Sequence, residues 1–222
     1  MADDRVINVL FHGVGTPQRE LEPGEESYWV SEDRFGAILD ELAGVAGVRL
    51  SFDDSNASDA EIALPALRER GLRADFFVLA GRLGAKGSLD DDAVRELLRQ
   101  GMNIGSHGML HRPWSQLDQQ TRHDEWVTAR ERISAIVGHD VDTAACPFGR
   151  YNRSVLTGLR RLGYRHVFTS DRRPARPDAW LQARYSVLST DTASTVRQTV
   201  LGHRSLPQRV RGSAVGLVKR WR

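Results

Sequence analysis

The feature that most limits how this chain can fold is an alternation. Short apolar, β-rich runs recur along it, and amphipathic helical patterns fill most gaps between them. Val6 to Phe11 is the first run, and it stops at the loop His12-Gly13-Val14-Gly15. Val48 to Phe52, Phe76 to Leu79, Met102 to Gly105, Thr143 to Cys146 and Val167 to Thr169 follow, with Ser186 to Leu188 expected as the last strand. Between them, Phe35, Ile38, Leu39 and Leu42 recur at helical spacing behind Ser31, and Ile62, Leu64 and Leu67 behind Ser58. Further helices are expected over Asp90 to Gln100, Asp118 to Val137 and Ser154 to Leu162, each followed by a glycine that can end it. Strands alternating with helices imply parallel βαβ units joined by right-handed crossovers. About seven such units in 222 residues, with no linker or repeat, predict one α/β domain closed as a distorted (β/α) barrel.

In parallel α/β folds, sites are built where strands end. The run Leu50-Ser51-Phe52 ends on Asp53-Asp54-Ser55-Asn56. Two adjacent carboxylates raise each other's pKa unless something positive meets them, such as a basic side chain, a shared proton or a metal ion. His107-Gly108-Met109-Leu110-His111, also at a predicted strand end, offers a metal answer. Placed four apart, the two histidines would share one face of a helical turn, about 6 Å apart. One aspartate with two histidines makes a three-ligand divalent site with open positions for water and substrate. An aspartate left unligated can serve as the base toward that water. His12 ends the first strand and is a candidate to face the same pocket, whereas His123, His139 and His166 read as structural or exposed.

Composition narrows the remaining classes. Apolar content of 40% and charge of 27% suit a globular protein, and a net charge of +2 gives no global nucleic-acid signature. Cys146 is the single cysteine, so there is no disulfide framework. No stretch approaches the ~20 apolar residues of a spanning helix, and the acidic start is unlike a signal peptide, so a cytoplasmic location is expected. After Asp191 there is no acidic residue, while Arg204, Arg209, Arg211, Lys219, Arg220 and Arg222 crowd the end. Residues 204–222 therefore read as a basic tail able to lie on an anionic membrane surface, with a solvated terminal segment as the alternative.

The motifs together resemble those of the polysaccharide deacetylase family, the NodB-homology or carbohydrate esterase 4 domain. Ser51-Phe52-Asp53-Asp54-Ser55 resembles its Thr-Phe-Asp-Asp-Gly motif, and His107-Gly108-Met109-Leu110-His111 its His-(Ser/Thr)-x-x-His motif. Cys146-Pro147-Phe148-Gly149 resembles the end of Arg-x-Pro-Tyr-Gly, and Phe11-His12-Gly13-Val14 a Tyr-His-x-Val opening. The likeness covers roughly residues 5–190 and implies a NodB-like barrel, with residues 1–203 as the catalytic domain. It implies that Asp54, His107 and His111 hold one divalent ion, zinc most often, with cobalt or manganese as alternatives. It further implies Asp53 as base and a main-chain N–H near Phe148 for the oxyanion. The reaction implied is removal of an N-acetyl group from a sugar or glycan intermediate.

Departures from the pattern leave open roles. The family's third-motif arginine, which pairs with the base, aligns with Ala145, so Arg150 or Arg184 is needed as a substitute from elsewhere. Leu201-Gly202-His203 fits the family's Leu-x-His string, which makes His203 the candidate general acid. Asp178-Ala179-Trp180 resembles the Asp-x-x-Asp-Trp motif, so Trp180 is a candidate wall of the sugar site. Trp114 is another candidate stacking ring, with core packing as its alternative. Two rival functions stay open: hydrolysis of a non-sugar amide or an O-acetyl ester, and glycan binding without turnover.

Overall fold

The strands form where the apolar runs are. The computed structural model describes residues 5–198, with β1 (Ile7–Phe11), β2 (Val48–Phe52), β3 (Ala74–Val78), β4 (Asn103–Ser106), β5 (Thr143–Ala145), β6 (His166–Thr169) and β7 (Leu181–Ser186). All neighbours pair in parallel in chain order, and β1 closes on β7 with Leu10 opposite Ser186. The result is a closed seven-stranded barrel, as the alternation implied.

The last strand is a correction. It runs Leu181–Ser186, not Ser186 to Leu188. All six of its residues are buried although they alternate apolar and polar, because its polar face looks into the barrel rather than toward water. There Asn8 Nδ2 donates to Gln182 Oε1 at 3.1 Å, and Arg184 donates to Ser51 Oγ at 3.3 Å.

The opposite strand faces carry the main core. Phe11, Phe52 and Phe76 stack across β1, β2 and β3 with centroids 5.4 and 4.7 Å apart. Phe35 of α1 (Glu32–Leu42) meets Phe11 edge-on at 5.1 Å. Each such ring contributes about 1.5–3 kcal/mol on burial. The helices α2 (Leu64–Glu69), α3 (Asp91–Arg99), α4 (Gln119–His123), α5 (Ala129–Val137) and α6 (Arg153–Arg161) occupy the crossovers, and α7 (Ala193–Val196) follows β7. Side-chain oxygens of Asp90 and Asn152 cap α3 and α6.

Two π-helical turns, Asp59–Ala63 before α2 and Asp124–Thr128 between α4 and α5, interrupt what the pattern predicts as regular helix. They place Asp59 and Glu125 in the interior. Such bulges recur near functional sites.

Candidate functional site

β2 delivers Asp53 and Asp54 to the C-terminal mouth of the barrel, and both are buried. Asp54 and Ser55 sit in left-handed backbone, with φ of 78° and 58°. That conformation costs a non-glycine residue roughly 1–2 kcal/mol, which accounts for the glycine usual at the second position. Ser55 Oγ offsets part of it by accepting the Leu79 N–H at 2.7 Å.

β4 delivers His107. The 107–111 segment is a loop rather than the expected helical turn, since Gly108 has φ 90° and His111 φ 54°. The two rings still lie 5.3 Å apart. Buried Glu125 holds this loop by accepting the N–H groups of Met109 at 2.8 Å and Leu110 at 3.0 Å. A Cβ on Gly108 would fall 2.2 Å from Glu125 Oε2, so a side chain there is excluded. Sequence reasoning missed Glu125, because nothing in the helical pattern marks it as turned inward.

The donor set determines what this mouth can bind. His107 Nδ1 stands 2.9 Å from Ala145 O, and a carbonyl only accepts, so this nitrogen carries the proton. His111 Nδ1 stands 2.9 Å from Glu22 Oε2 and donates in the same way. In the neutral rings both Nε2 atoms then present lone pairs. They lie 3.5 and 3.3 Å from Asp54 Oδ1, which is buried without a hydrogen-bond partner among the described residues. The ligand atoms of all three residues lie within 4.8 Å of one another. Ligands about 2 Å from a tetrahedral zinc ion stand roughly 3.3 Å apart. Three converging acceptors with no donor between them fit a divalent cation.

Asp53 is served differently. Arg184, fully buried, forks both its oxygens at 2.7 Å. Its guanidinium lies 5.1 Å from the Phe77 ring centroid and 5.8 Å from that of Phe168. Arg184 thus supplies, from β7, the cation that Ala145 on β5 lacks; Arg150 does not. Burial alone would raise the Asp53 carboxyl, but the charge and bonds of Arg184 outweigh it and hold the group below the usual carboxylate range. Burial likewise works upward on Asp54, and the His107 and His111 imidazoles outweigh it, keeping that group a carboxylate far below its ordinary range. Asp53 and Asp54 help push Asp59 the other way: burial first, then their charge, raises its carboxyl well above normal.

Asp53, Asp54, His107 and His111 line a cleft of about 420 Å³. His12 also lines it, beside Tyr28 at 4.7 Å, with its buried Nδ1 unpartnered among the described residues. Burial lowers its pKa, against the pull of Asp54 and Asp53. Phe148 (φ 56°), half exposed at 51%, lies 4.2 Å from the His111 ring, and Arg150 rests over Phe148 at the rim.

Two expected members stand elsewhere. Trp180 precedes β7 at the opposite end of the barrel, where its Nε1 donates to Tyr164 O at 2.7 Å and Arg160 covers its ring. It walls no sugar site. Trp114 is fully buried against Trp126, a core residue. His203 and the basic tail lie outside the described residues. A second cavity, about 610 Å³, opens at the other end of the barrel among Arg49, Arg73 and Arg165, away from the carboxylates and imidazoles just described.

Comparison with known proteins agrees with this fold. The sequence model of the family described as polysaccharide deacetylase matches residues 44–167, more than half of the chain. YxkH of Bacillus subtilis strain 168, which carries the polysaccharide deacetylase name, is 25% identical over 167 residues, covering 75% of this chain and 57% of YxkH. YheN of the same strain, similarly named, is 25% identical over 155 residues, covering 66% of this chain and 53% of YheN. The chain thus spans little more than half the length of these relatives. Among solved structures, the Streptococcus pyogenes deacetylase PplD in complex with acetate superposes with a TM-score of 0.77 at 19% identity, covering 88% of this chain and 98% of PplD. IcaB from Ammonifex degensii gives 0.73 at 22% identity, covering 90% and 97%. At these identities the likeness is one of fold.

Proposed function

The chain belongs to the polysaccharide deacetylase family, and from that premise we propose that it is a metal-dependent hydrolase that removes N-acetyl groups from a saccharide. The observation that carries the reading is the meeting of two imidazole lone pairs and one carboxylate oxygen that is unpartnered among the described residues, beside a second carboxylate, Asp53, outside that set. Asp54, His107 and His111 would hold the ion. When bound, a divalent ion, zinc by its preference for such ligands, supplies Lewis acidity toward the acetamide carbonyl and toward water.

The chain's own residues supply the rest. Asp53 takes a proton from the water that adds to the acetyl carbon, and the Arg184 fork keeps both its oxygens in place for that transfer. The main-chain N–H at Phe148 is the proposed oxyanion donor. The C–N bond then breaks, acetate leaves, and the amine needs a proton. His12 is our candidate to hold that proton, a reading supported by its place in the cleft wall. His203, on the segment that follows, is the competing candidate. Phe148 and Arg150 at the rim are the proposed sugar contacts.

A small or lipid-linked N-acetylated glycan is the substrate we favour, with the basic residues 204–222 facing an anionic lipid surface. Unchanged vesicle binding and turnover after deletion of 204–222 would remove that part of the reading. The central test is metal content by elemental analysis, with acetate release from N-acetylated oligosaccharides, in wild type and His111→Ala. About one divalent ion per chain in wild type, lost with turnover in the variant, is expected. Acetate release by metal-free protein would refute the mechanism, and release from O-acetyl esters alone would move the substrate class.

A further inference from the structure

The loop between β1 and α1 carries a group that no motif marks. Glu22 lies 89 positions before His111 in the chain, yet its Oε2 meets His111 Nδ1 at 2.9 Å. Its other oxygen, Oε1, is held by Arg82, just beyond β3. Glu22 N–H in turn donates to Glu25 Oε2 at 2.8 Å. Arg19 pairs with Glu25 and donates to Asn56 Oδ1 at 3.1 Å from Nε and 2.8 Å from its terminal nitrogen. Asn56 is fully buried two residues past Asp54. The 19–25 segment is therefore clipped at one point to the loop that bears His111 and at another to the loop that bears Asp54. Its continuation, through Pro23, Gly24, Ser27 and Tyr28, lines the cleft.

His111 needs such a clip. Its left-handed backbone does not fix the ring by regular structure, and its side chain is still 10% exposed. By contrast, buried His107 is fixed by a main-chain carbonyl. An imidazole that ligates through Nε2 gains donor strength and a fixed tautomer from a carboxylate on Nδ1.

On the reading that Asp54, His107 and His111 hold a divalent ion, we propose that Glu22 is a positioning residue for that centre. Its carboxylate orients the His111 ring, and through it ion binding and docking of the 19–28 cleft wall are linked. Neither effect requires Glu22 to touch ion or substrate. The linkage is reciprocal: whatever Glu22 adds to ion affinity, the ion adds to docking of the loop.

The test uses the chelator-stripped protein and zinc alone, titrated against a competing chromophoric chelator, for wild type, Glu22→Gln, Glu22→Ala and Arg82→Met. Glu22→Ala is expected to weaken zinc about 10- to 100-fold. Glu22→Gln, which keeps an acceptor oxygen toward Nδ1–H, recovers part of that loss. Arg82→Met, which leaves the carboxylate but loosens it, gives a smaller loss and answers the question if Glu22→Ala does not fold. Amide exchange is the second readout: zinc should slow exchange across 19–28 in wild type and not in Glu22→Ala. Wild-type zinc affinity in folded Glu22→Ala or Arg82→Met, with one zinc bound by wild type, overturns this proposal and leaves the metal site standing. No zinc bound by wild type overturns both.

Discussion

Replacing Arg184 by methionine should unfold the site in a pH-dependent way. In the native protein the guanidinium and the Asp53 carboxylate are both buried, joined by two 2.7 Å bonds. Removing one partner of such a pair leaves an uncompensated interior charge, at a cost of about 3–5 kcal/mol. The discount for solvent screening is small, because the Arg184 side chain is fully buried and that of Asp53 only 3% exposed. Against a total stability of about 5–15 kcal/mol this is a large share. It corresponds to a fall in Tm of about 6–20 °C for a domain of this size. The sign follows from Asp53, whose folded pKa is depressed, so its contribution is present above the unfolded value and lost as pH falls through the folded one. In Arg184→Met burial is opposed only by His107 and His12, and the carboxyl is expected to shift above the unfolded value instead. The folded variant then binds the extra proton, and its stability declines as pH rises past the ordinary carboxylate pKa of about 4. Urea unfolding of chelator-treated wild type and variant at pH 4 to 7 should thus show a gap that widens with pH. Adding Asp53→Asn to Arg184→Met should recover part of it at pH 7. A gap of constant size, or no recovery in the double variant, would refute the assignment of Arg184 as the counter-charge of Asp53.

Other residues give independent checks. Gly108→Ser should cost about 3 kcal/mol or more in urea unfolding, because its Cβ displaces Glu125 and orphans the Met109 and Leu110 N–H groups. A cost under about 1 kcal/mol would show the loop can bypass Glu125. Ser55→Gly should stay within about 1 kcal/mol of wild type, strain relief offsetting the lost Leu79 bond, while Ser55→Val should be clearly worse. His12→Gln should lower kcat by about 10²- to 10⁴-fold with metal content unchanged; a drop seen in His203→Gln instead would reassign the proton donor. Ala145→Arg should destabilise the protein on its own and less so when combined with Arg184→Ala, whereas additive losses would show the two positions do not share one space.

Much of the barrel was legible because six strands are apolar enough to be read without their partners. Asp53, Asp54, His107 and His111 were legible because their residue types are costly at strand ends unless something meets them. Trp180 misled because a motif-like string was read without its place: it lies ahead of the strand, while sites are built behind strands. Glu22 and Glu125 left no trace for the opposite reason. Each is an ordinary acidic residue whose role exists only through a contact made by the folded chain, one 89 residues distant and one set by a π-helical turn. β7 did carry a signal, strict alternation over Leu181–Ser186. Its polar members face the barrel interior, so the strand lacks the apolar run by which the other six are read.

The missing arginine shows how such a barrel can keep one chemical requirement while moving its source. Asp53 needs a cation, and the requirement belongs to a point in space at the barrel mouth rather than to a position in the chain. Ala145, fully buried, packs with Phe77 and Phe168. The same two rings flank the Arg184 guanidinium. A second guanidinium at residue 145 would compete for that interior and set two like charges against one carboxylate. The small residue on β5 and the arginine on β7 therefore fit one another in the same space. β5 alone offers Asp53 no cation; the closure of β7 against β1, which sets β7 one strand away from β2, brings one.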